Sequence, residues 1–296
     1  MVKKENPMKV IAAKSAGFCF GVRRAIELAE KTAGGHKPVY TYGPLIHNPQ
    51  EVKRLQKAGI RSVARPGRLS GETLIIRTHG IPRGTREKLE RTRLDIVDAT
   101  CPFVKRAQDI IKRLSGDDVT IIIVGEKTHP EVVALASYCP RNGHVAESPR
   151  DIRALKLGKR PVRVVSQTTQ TPENLAAVVA AIKKTCPDVI TFNTICKATN
   201  DRQDAARRLA GRVDVMIVVG GKNSGNTRRL AQICSAVTPT HHIETEKELQ
   251  ARWFTRATTV GLTAGASTPD WIIDRVADAI GGIKDGRKKG FTYRRR

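Results

Sequence analysis

Three of the six cysteines follow a predicted strand and precede a predicted helix, which is where ligand-binding residues concentrate in α/β proteins. They are Cys19, Cys101 and Cys196, and the chain contains no C-x-x-C motif. Local spacing therefore excludes a zinc ribbon and a bacterial ferredoxin-type cluster. The other three fall within or at the ends of predicted helices, and we expect them to be buried thiols: Cys139, Cys186 and Cys234.

Three thiolates brought together by the fold would hold a metal centre with one open position. Four cysteines normally close a 4Fe-4S cluster, so three would leave one iron free to coordinate a substrate hydroxyl. Such a cluster also passes electrons, which suits the reductive removal of that hydroxyl. The alternative is a zinc ion held by three cysteines, which would be redox-inert and would suit a hydrolase acting on a phosphorylated substrate.

A second group of polar residues lies in turns that follow other predicted strands, and it suits an anionic, phosphate-like group. Its members donate hydrogen bonds, and few carboxylates accompany them: His47, His79, His129, Ser224, Asn226 and Ser267. Ser224, Asn226 and Ser267 each precede a predicted helix start, where free backbone N–H groups and the helix dipole favour phosphate. Each of these three has a plain helix-cap or turn role as its alternative. For each of the three histidines the alternative is a structural residue whose hydrogen bonds are satisfied within the protein.

Glu131 is an acid two residues after His129, in a region that is otherwise rich in basic and neutral groups. It is a candidate proton donor, although a glutamate in the first turn of a helix also complements the helix dipole. Thr168 lies in a turn of the same repeat, where its hydroxyl would bond a substrate hydroxyl or a water that carries the proton. A plain capping turn is the alternative for Thr168.

The elements that must position these residues repeat three times, in copies of roughly 90 residues. Each copy runs strand, cysteine, helix, strand, polar loop, helix, two strands, polar turn, proline and helix. The helices after the cysteines are predicted over 22–31, 104–114 and 201–210, and the second strands over 39–43, 119–125 and 213–221. The fourth strands are predicted over 73–77, 162–165 and 259–262, before prolines that suit the first position of a helix: Pro82, Pro172 and Pro269.

Strands that alternate with helices predict parallel sheets with right-handed crossovers. The expected fold class is therefore α/β, with three small α/β domains related by pseudo-threefold symmetry around a central cluster cavity. The predicted domains are 8–100 with Cys19, 101–195 with Cys101 and Glu131, and 196–283 with Cys196, followed by a basic C-terminal tail over 284–296.

The chain has 296 residues, a formal net charge of +25 and a pI near 10.3. No apolar run approaches the ~20 residues of a membrane span and no secretory signal is readable, so we expect no membrane partner and a cytoplasmic location. The excess of Lys and Arg suggests nucleic acid. Only 2 Trp, 4 Tyr and 6 Phe are present and no RNP1, KH or zinc-finger pattern occurs, so we expect no nucleic-acid partner. A basic RNA-associated protein with structural cysteines remains the alternative from another class.

Many short motifs make the chain resemble the 4-hydroxy-3-methylbut-2-enyl diphosphate reductase family over nearly its whole length. They surround the candidate residues: Gly17-Phe18-Cys19, Ile46-His47-Asn48, Thr78-His79-Gly80, Asp98-Ala99-Thr100-Cys101-Pro102, His129-Pro130-Glu131-Val132, Gln167-Thr168-Thr169, Ile195-Cys196, Lys222-Asn223-Ser224 and Thr263-Ala264-Gly265-Ala266-Ser267. The resemblance implies reductive dehydroxylation of 4-hydroxy-3-methylbut-2-enyl diphosphate to isopentenyl and dimethylallyl diphosphates, the last step of the non-mevalonate isoprenoid pathway.

The resemblance also implies a role for each candidate residue. Cys19, Cys101 and Cys196 would hold a 4Fe-4S cluster with one open iron that binds the substrate hydroxyl. Glu131, His129 and Thr168 would be the catalytic residues, with Glu131 supplying protons and Thr168 orienting the hydroxyl. The substrate-binding set would be His47, His79, His129, Thr168, Ser224, Gly225, Asn226 and Ser267. Gly225 stands where many relatives have a second serine, so a backbone amide would replace that contact. Electrons would come from ferredoxin or flavodoxin that NADPH feeds.

Overall fold

The computed structural model describes residues 8–35, 38–67, 69–155, 157–158, 160–285 and 293–295, and strands alternate with helices through most of them. The strands are β1 (Lys9–Ala12), β2 (Val39–Tyr42), β3 (Ile60–Val63), β4 (Thr73–Ile76), β5 (Asp95–Asp98), β6 (Thr120–Val124), β7 (Gly143–Ala146), β8 (Val162–Ser166), β9 (Val189–Phe192), β10 (Val215–Val219), β11 (Thr240–Ile243), β12 (Thr259–Ala264) and β13 (Tyr293–Arg295). The α-helices are α1 (Phe20–Ala33), α2 (Pro49–Lys57), α3 (Arg83–Glu90), α4 (Pro102–Leu114), α5 (Pro130–Ala136), α6 (Pro149–Ala154), α7 (Pro172–Lys183), α8 (Lys197–Ala210), α9 (Gly225–Ser235) and α10 (Asp270–Asp285).

The described residues form two compact units, each with its own parallel sheets. Unit 1 contains the N-terminal segment up to Cys19, the segment His47–Glu51 and the chain from Lys197 onward. Unit 2 contains Phe20–Ile46 and Val52–Cys196. Unit 1 has a five-stranded sheet in the order β11-β10-β12-β1-β13, and unit 2 has two four-stranded sheets in the orders β3-β2-β4-β5 and β7-β6-β8-β9. All pairings in these three sheets are parallel, which confirms the predicted α/β class.

One strand order recurs in the three sheets, and the strand that opens each sequence repeat lies beside the strand that closes another. The pairs are β5 with β4, β9 with β8, and β1 with β12. The predicted first domain, 8–100, includes β1, whereas β1 and the segment His47–Glu51 belong to unit 1. The three domain ranges as a whole stay predictions.

The predicted basic tail over 284–296 lies largely outside the described residues. In the part that is described, α10 continues to Asp285, and β13 pairs with β1 in the register Val10 to Tyr293. The end of the tail is therefore a strand of the unit 1 sheet. Among the described residues, no helix combines the length and apolar character needed to cross a bilayer.

The central strands β6 and β10 are apolar on both faces because helices cover both sides of their sheets. In β6, Ile121 and Ile123 pack in one core cluster with α4, while Ile122 and Val124 pack in another cluster with α7. In β10 the odd-numbered residues pack with α10 and the even-numbered residues pack with α8 and α9. The prediction that these near-continuous apolar runs are buried parallel strands is confirmed.

Helix starts differ from the predicted ones in a way that matters for the cysteines. The helices predicted from 22, 104 and 201 begin at Phe20, Pro102 and Lys197, directly after Cys19, Cys101 and Cys196. The prediction for Pro172 is confirmed, because it is the first residue of α7. Pro82 is the N-cap of α3 and Pro269 precedes α10, so both stand one residue earlier than predicted. Both positions suit proline, which lacks a backbone N–H, because a residue at the start of a helix donates no intrahelical hydrogen bond.

Candidate active site

Each candidate metal-ligating cysteine is anchored by the same backbone hydrogen bond. The N–H of Cys101 donates to the carbonyl oxygen of Thr78 (3.0 Å), and that of Cys196 donates to Thr168 (2.9 Å). In unit 1, the N–H of Cys19 donates to the carbonyl oxygen of Ala266 (3.1 Å). Thr78, Thr168 and Ala266 lie in the turns after β4, β8 and β12. Each thiol is therefore held at the carboxyl edge of a parallel sheet, where α/β proteins bind ligands.

The six cysteines divide into two groups by exposure. Cys19, Cys101 and Cys196 are partly exposed, whereas Cys139, Cys186 and Cys234 are buried, as predicted. Burial raises the pKa of the Cys139 and Cys234 thiols to about 11, so both stay protonated near neutral pH. A protonated buried thiol is a poor metal ligand, because the thiolate is the binding form.

Space beside the Cys101 thiol depends on Gly21. Cys101 is the N-cap of α4, and a Cβ atom at position 21 would lie 2.5 Å from its Sγ. Real Cβ atoms do not approach other atoms so closely, so a larger residue at position 21 would displace the thiol or the start of α1. The glycine therefore leaves the face of the sulfur clear for a ligand.

The loop that leads to Cys19 in unit 1 is held by a residue that the sequence analysis missed. Gly17 has φ +107°, and a Cβ there would lie 2.6 Å from Oδ1 of Asp270, so both backbone and space require glycine. Arg202 is buried and donates from Nη2 to the carbonyl oxygen of Gly17 (2.8 Å). The available signal was an arginine on the apolar face of α8, a turn before buried Ala206.

Glu131 and Thr168 form a buried pair in unit 2. The backbone N–H of Thr168 donates to Oε1 of Glu131 (2.6 Å), and the Thr168 hydroxyl donates to Oε2 (2.8 Å). Glu131 is 2% exposed. Burial raises its pKa from 4.5 to about 7, although the two hydrogen bonds from Thr168 act in the opposite direction. The carboxyl group therefore carries a proton in a large fraction of molecules at neutral pH.

His129 is fixed at the start of the same helix. It is the N-cap of α5 ahead of Pro130, and its Nδ1 accepts the backbone N–H of Glu131 (3.2 Å). Because Nδ1 is the acceptor, a neutral His129 ring carries its proton on Nε2, which can donate to a ligand. The His79 ring meets the His129 ring edge to face, with centroids 5.5 Å apart. Two histidine rings are thus adjacent within unit 2.

The phosphate-site candidates of unit 1 gather around the start of α9. Ser224 is the N-cap of this helix, and its hydroxyl oxygen accepts the N–H of Thr227 (3.3 Å). Ser224 therefore has the helix-cap role that is the alternative to phosphate binding. The prediction that Asn226 precedes the helix is wrong, because α9 already begins at Gly225. Asn226 is 4% exposed, and both polar atoms of its amide lack a partner among the described residues. An unpaired buried amide is costly, so it marks a place for a polar ligand.

His47 and Ser267 lie beside this helix start in unit 1. The Ser267 hydroxyl donates to the carbonyl oxygen of His47 (3.1 Å). A Cβ at Gly221 would lie 2.6 Å from the same oxygen, so the loop after β10 also packs on His47. Gly225 is buried as the first residue of α9, and the N–H groups of a first helical turn have no intrahelical acceptor. No acidic residue occupies that turn, which leaves its positive end open to an anion.

The structure therefore collects the predicted residues in two sets. In unit 2, hydrogen bonds or ring contacts link Cys101 through Thr78 to His79, and link His129 through Glu131 and Thr168 to Cys196. In unit 1, the set comprises Cys19, His47, Ser224, Gly225, Asn226 and Ser267. Both sets occupy segments that follow the carboxyl ends of strands, so they could bind a polar ligand.

Comparisons with known proteins agree in one assignment. The chain is 48% identical over 277 residues to the 4-hydroxy-3-methylbut-2-enyl diphosphate reductase of Pelobacter propionicus, which covers 93% of this chain and 99% of that protein. A solved structure of (E)-4-hydroxy-3-methyl-but-2-enyl diphosphate reductase, the terminal enzyme of the non-mevalonate pathway, is 46% identical with a TM-score of 0.68, over 92% of this chain and 99% of that one. The E-1-hydroxy-2-methyl-but-2-enyl-4-diphosphate reductase structure from Plasmodium falciparum is 27% identical with a TM-score of 0.90, over 98% and 92%. The family model described as LytB protein matches residues 10–281, and the chain therefore belongs to the LytB protein family.

Proposed function

We propose that this chain reduces 4-hydroxy-3-methylbut-2-enyl diphosphate to isopentenyl and dimethylallyl diphosphates. In this reaction a C–O bond breaks, a C–H bond forms and water leaves, at the expense of two electrons and two protons. The observation that carries the proposal is the buried Glu131–Thr168 pair, whose carboxyl holds a proton near neutral pH and whose threonine also anchors Cys196. A proton source beside a candidate metal ligand is what this chemistry requires.

The residues around the cysteines fit a 4Fe-4S cluster. The gap that Gly21 leaves beside the Cys101 Sγ is the kind of space a cluster ligand needs. The helices that follow Cys19, Cys101 and Cys196 have no acidic residue in their first turns, so nothing there repels an anionic centre. When bound by these three thiolates, the cluster would supply electrons and an open iron for the substrate hydroxyl.

The proton comes from Glu131 in this proposal. Oε1 accepts the short N–H bond from Thr168, so the proton of the neutral acid belongs on Oε2. In the ionised form the Thr168 hydroxyl donates to Oε2, whereas in the neutral form the direction reverses and Oε2–H donates to the hydroxyl oxygen. A hydroxyl can accept and donate at once, so Thr168 can pass that proton to the leaving hydroxyl of the substrate. Burial of both side chains keeps bulk water from delivering protons indiscriminately.

The diphosphate would be held by neutral donors and helix N–H groups. In unit 1 these are the amide of Asn226, the hydroxyls of Ser224 and Ser267, the side chain of His47 and the backbone of Gly225. In unit 2, His129 offers Nε2–H, and His79 lies beside it. The unpaired buried amide of Asn226 supports a polar ligand at the start of α9 most directly.

The electron donor in this proposal is a ferredoxin or flavodoxin that NADPH reduces, and the reaction takes place in the cytoplasm. Six free cysteines suit a reducing compartment.

Iron and acid-labile sulfide analysis of anaerobically purified protein tests the proposal, with Mössbauer spectra recorded with and without the substrate. About four irons, one of them distinct and shifted by substrate, together with turnover under a chemical reductant, is the expected result. Stoichiometric zinc, or the absence of metal together with no turnover, would overturn it and favour a zinc hydrolase or a non-catalytic protein.

A further inference from the structure

Two exposed aromatic rings follow two of the candidate ligand cysteines. Phe20, directly after Cys19, is 64% exposed, and Phe103, two residues after Cys101, is 37% exposed. Among the described residues of unit 2, these are the exposed phenylalanines, whereas the other exposed large apolar residues there are Val133 and Ile190. Exposed aromatic rings in pairs are typical of a protein interface.

An arginine accompanies each ring at the same spacing. Arg23 lies three residues after Phe20 on α1, and Arg106 lies three residues after Phe103 on α4. Residues three apart share one side of a helix, so each ring and its arginine are neighbours. Both arginines are exposed, and neither has a hydrogen-bond or ion-pair partner in the part of the chain that the structure describes. We call Phe20, Arg23, Phe103 and Arg106 the Phe–Arg patch.

The two halves of the Phe–Arg patch lie close to each other and to a candidate ligand. The Cβ position of Gly21, next to Phe20, is 2.5 Å from the Cys101 Sγ, so the start of α1 lies against the start of α4. Electron transfer weakens steeply with distance, so a carrier protein must dock near the ligands that it serves. The Phe–Arg patch meets this requirement within unit 2.

We infer that the Phe–Arg patch is the docking surface for a small acidic electron-carrier protein of the ferredoxin type, an inference that rests on the proposed function. Aromatic residues and arginines often contribute most of the binding energy of an interface. The unpaired positive charges of Arg23 and Arg106 would also attract an acidic partner and increase its association rate. A second copy of this chain would bring the same positive charges together, which opposes self-association at this surface. Each docked carrier is oxidised by one electron, so two carriers are oxidised for each substrate reduced.

The kinetic test compares two reductants on the iron-loaded enzyme. Two double variants are compared with wild type: one combines Phe20→Ala and Phe103→Ala, and the other combines Arg23→Glu and Arg106→Glu. In each of them, kcat/KM for reduced ferredoxin is expected to fall about tenfold or more. Turnover driven by dithionite should stay within about twofold of wild type, because a small reductant needs no docking surface. Matched controls on unit 2 are Ile190→Ala and Arg141→Glu, which change an exposed apolar residue and an exposed arginine elsewhere and should alter neither rate.

A binding measurement gives a readout that does not depend on turnover. Calorimetric titration of the protein with an acidic ferredoxin should give a Kd that weakens with added salt in wild type, and the charge-reversal variant should lose most of that salt dependence. Equal Kd values for ferredoxin in wild type and patch variants would overturn the inference. Two other results in the patch variants would do the same: activity that falls equally with ferredoxin and with dithionite, or an oligomeric state that differs from wild type. If wild type fails with every reductant, the proposed function fails, while the titration still decides whether the patch binds the carrier.

Discussion

Thr168 donates two hydrogen bonds to the carboxyl group of Glu131, from its backbone N–H at 2.6 Å and from its hydroxyl at 2.8 Å. The carbonyl oxygen of the same threonine accepts the N–H of Cys196. One residue therefore links the buried acid to a candidate cluster ligand within unit 2, and in the proposed reaction this link would hold the proton source beside that ligand.

Replacing Glu131 by Gln should remove the proton source and leave the site assembled. Glutamine is close to isosteric and its amide oxygen can still accept from Thr168, so iron content and substrate affinity should stay near wild type. A positioned general acid contributes about 100-fold or more, so kcat should fall at least by that factor. Steady-state turnover with a chemical reductant and calorimetric substrate titration measure the two effects separately.

Glu173 provides the matched control for that substitution. It also lies in the first turn of a helix, α7, but it is exposed. Glu173→Gln should leave kcat unchanged if the buried position of Glu131 matters. Full activity in Glu131→Gln would reduce Glu131 to a residue that complements the dipole of α5.

Stability should depend on pH through Glu131. Its pKa is about 7 in the folded chain and 4.5 for an ordinary glutamate, so between these values the folded state keeps a proton that the unfolded state releases. The free energy of unfolding therefore falls as pH rises through this window, by about 3 kcal/mol at most. Glu131→Gln lacks this contribution, so its stability relative to wild type should improve from pH 5 to pH 8. Urea unfolding at both pH values checks this, and parallel changes in the two proteins would contradict the buried-acid assignment.

Iron binding should depend on three cysteines and not on the other three. Cys→Ser at 19, 101 or 196 should abolish cluster formation, because each removes a partly exposed thiol held at a sheet edge. The same change at 139, 186 or 234 affects buried thiols that pack in the core, so iron stoichiometry should persist even where stability drops. Iron and sulfide analysis measures the outcome, and an equal loss of iron in all six variants would contradict the ligand assignment.

Gly21→Ala should expel the cluster while the fold persists. The added Cβ would lie 2.5 Å from the Cys101 Sγ, so the thiol must move. Gly84 is the control, since it is also the second residue of a helix and has nothing within 4 Å of its Cβ position. Gly84→Ala should keep its iron and become more stable by about 0.4 to 1 kcal/mol. Iron content and thermal unfolding separate the two variants, and normal iron in Gly21→Ala would show that the gap is not needed.

The features of the fold and site that could be predicted from the sequence are those that a local pattern of residues encodes. The apolar runs of β6 and β10 reveal strands covered on both faces, and the threefold repeat marks Cys19, Cys101 and Cys196. The pairing of β1 with β12 joins segments from opposite ends of the chain, and no local pattern encodes such a contact. Arg202 and Gly21 act through tertiary contacts at single atoms, which residue type and spacing do not report. The prediction that Asn226 precedes α9 fails because helix boundaries depend on capping: Ser224 is the N-cap, so Asn226 is the second residue of the helix.

Asn226→Asp should weaken diphosphate binding more than any charge change on the nearby surface. The Asn226 amide is buried without a partner among the described residues, so its Nδ2–H groups are the natural donors to a phosphate oxygen. A carboxylate of the same shape removes those donors and adds a negative charge where the ligand is negative. Losing one charge-assisted hydrogen bond costs about 1.5 to 3 kcal/mol, or roughly 10- to 150-fold in Kd, and repulsion adds to this. Asn223→Asp adds the same charge three residues away, but Asn223 is exposed, so solvent screens it and the Kd should change only slightly. Calorimetric titration with the diphosphate substrate compares the two, and similar Kd values would place the diphosphate away from the start of α9.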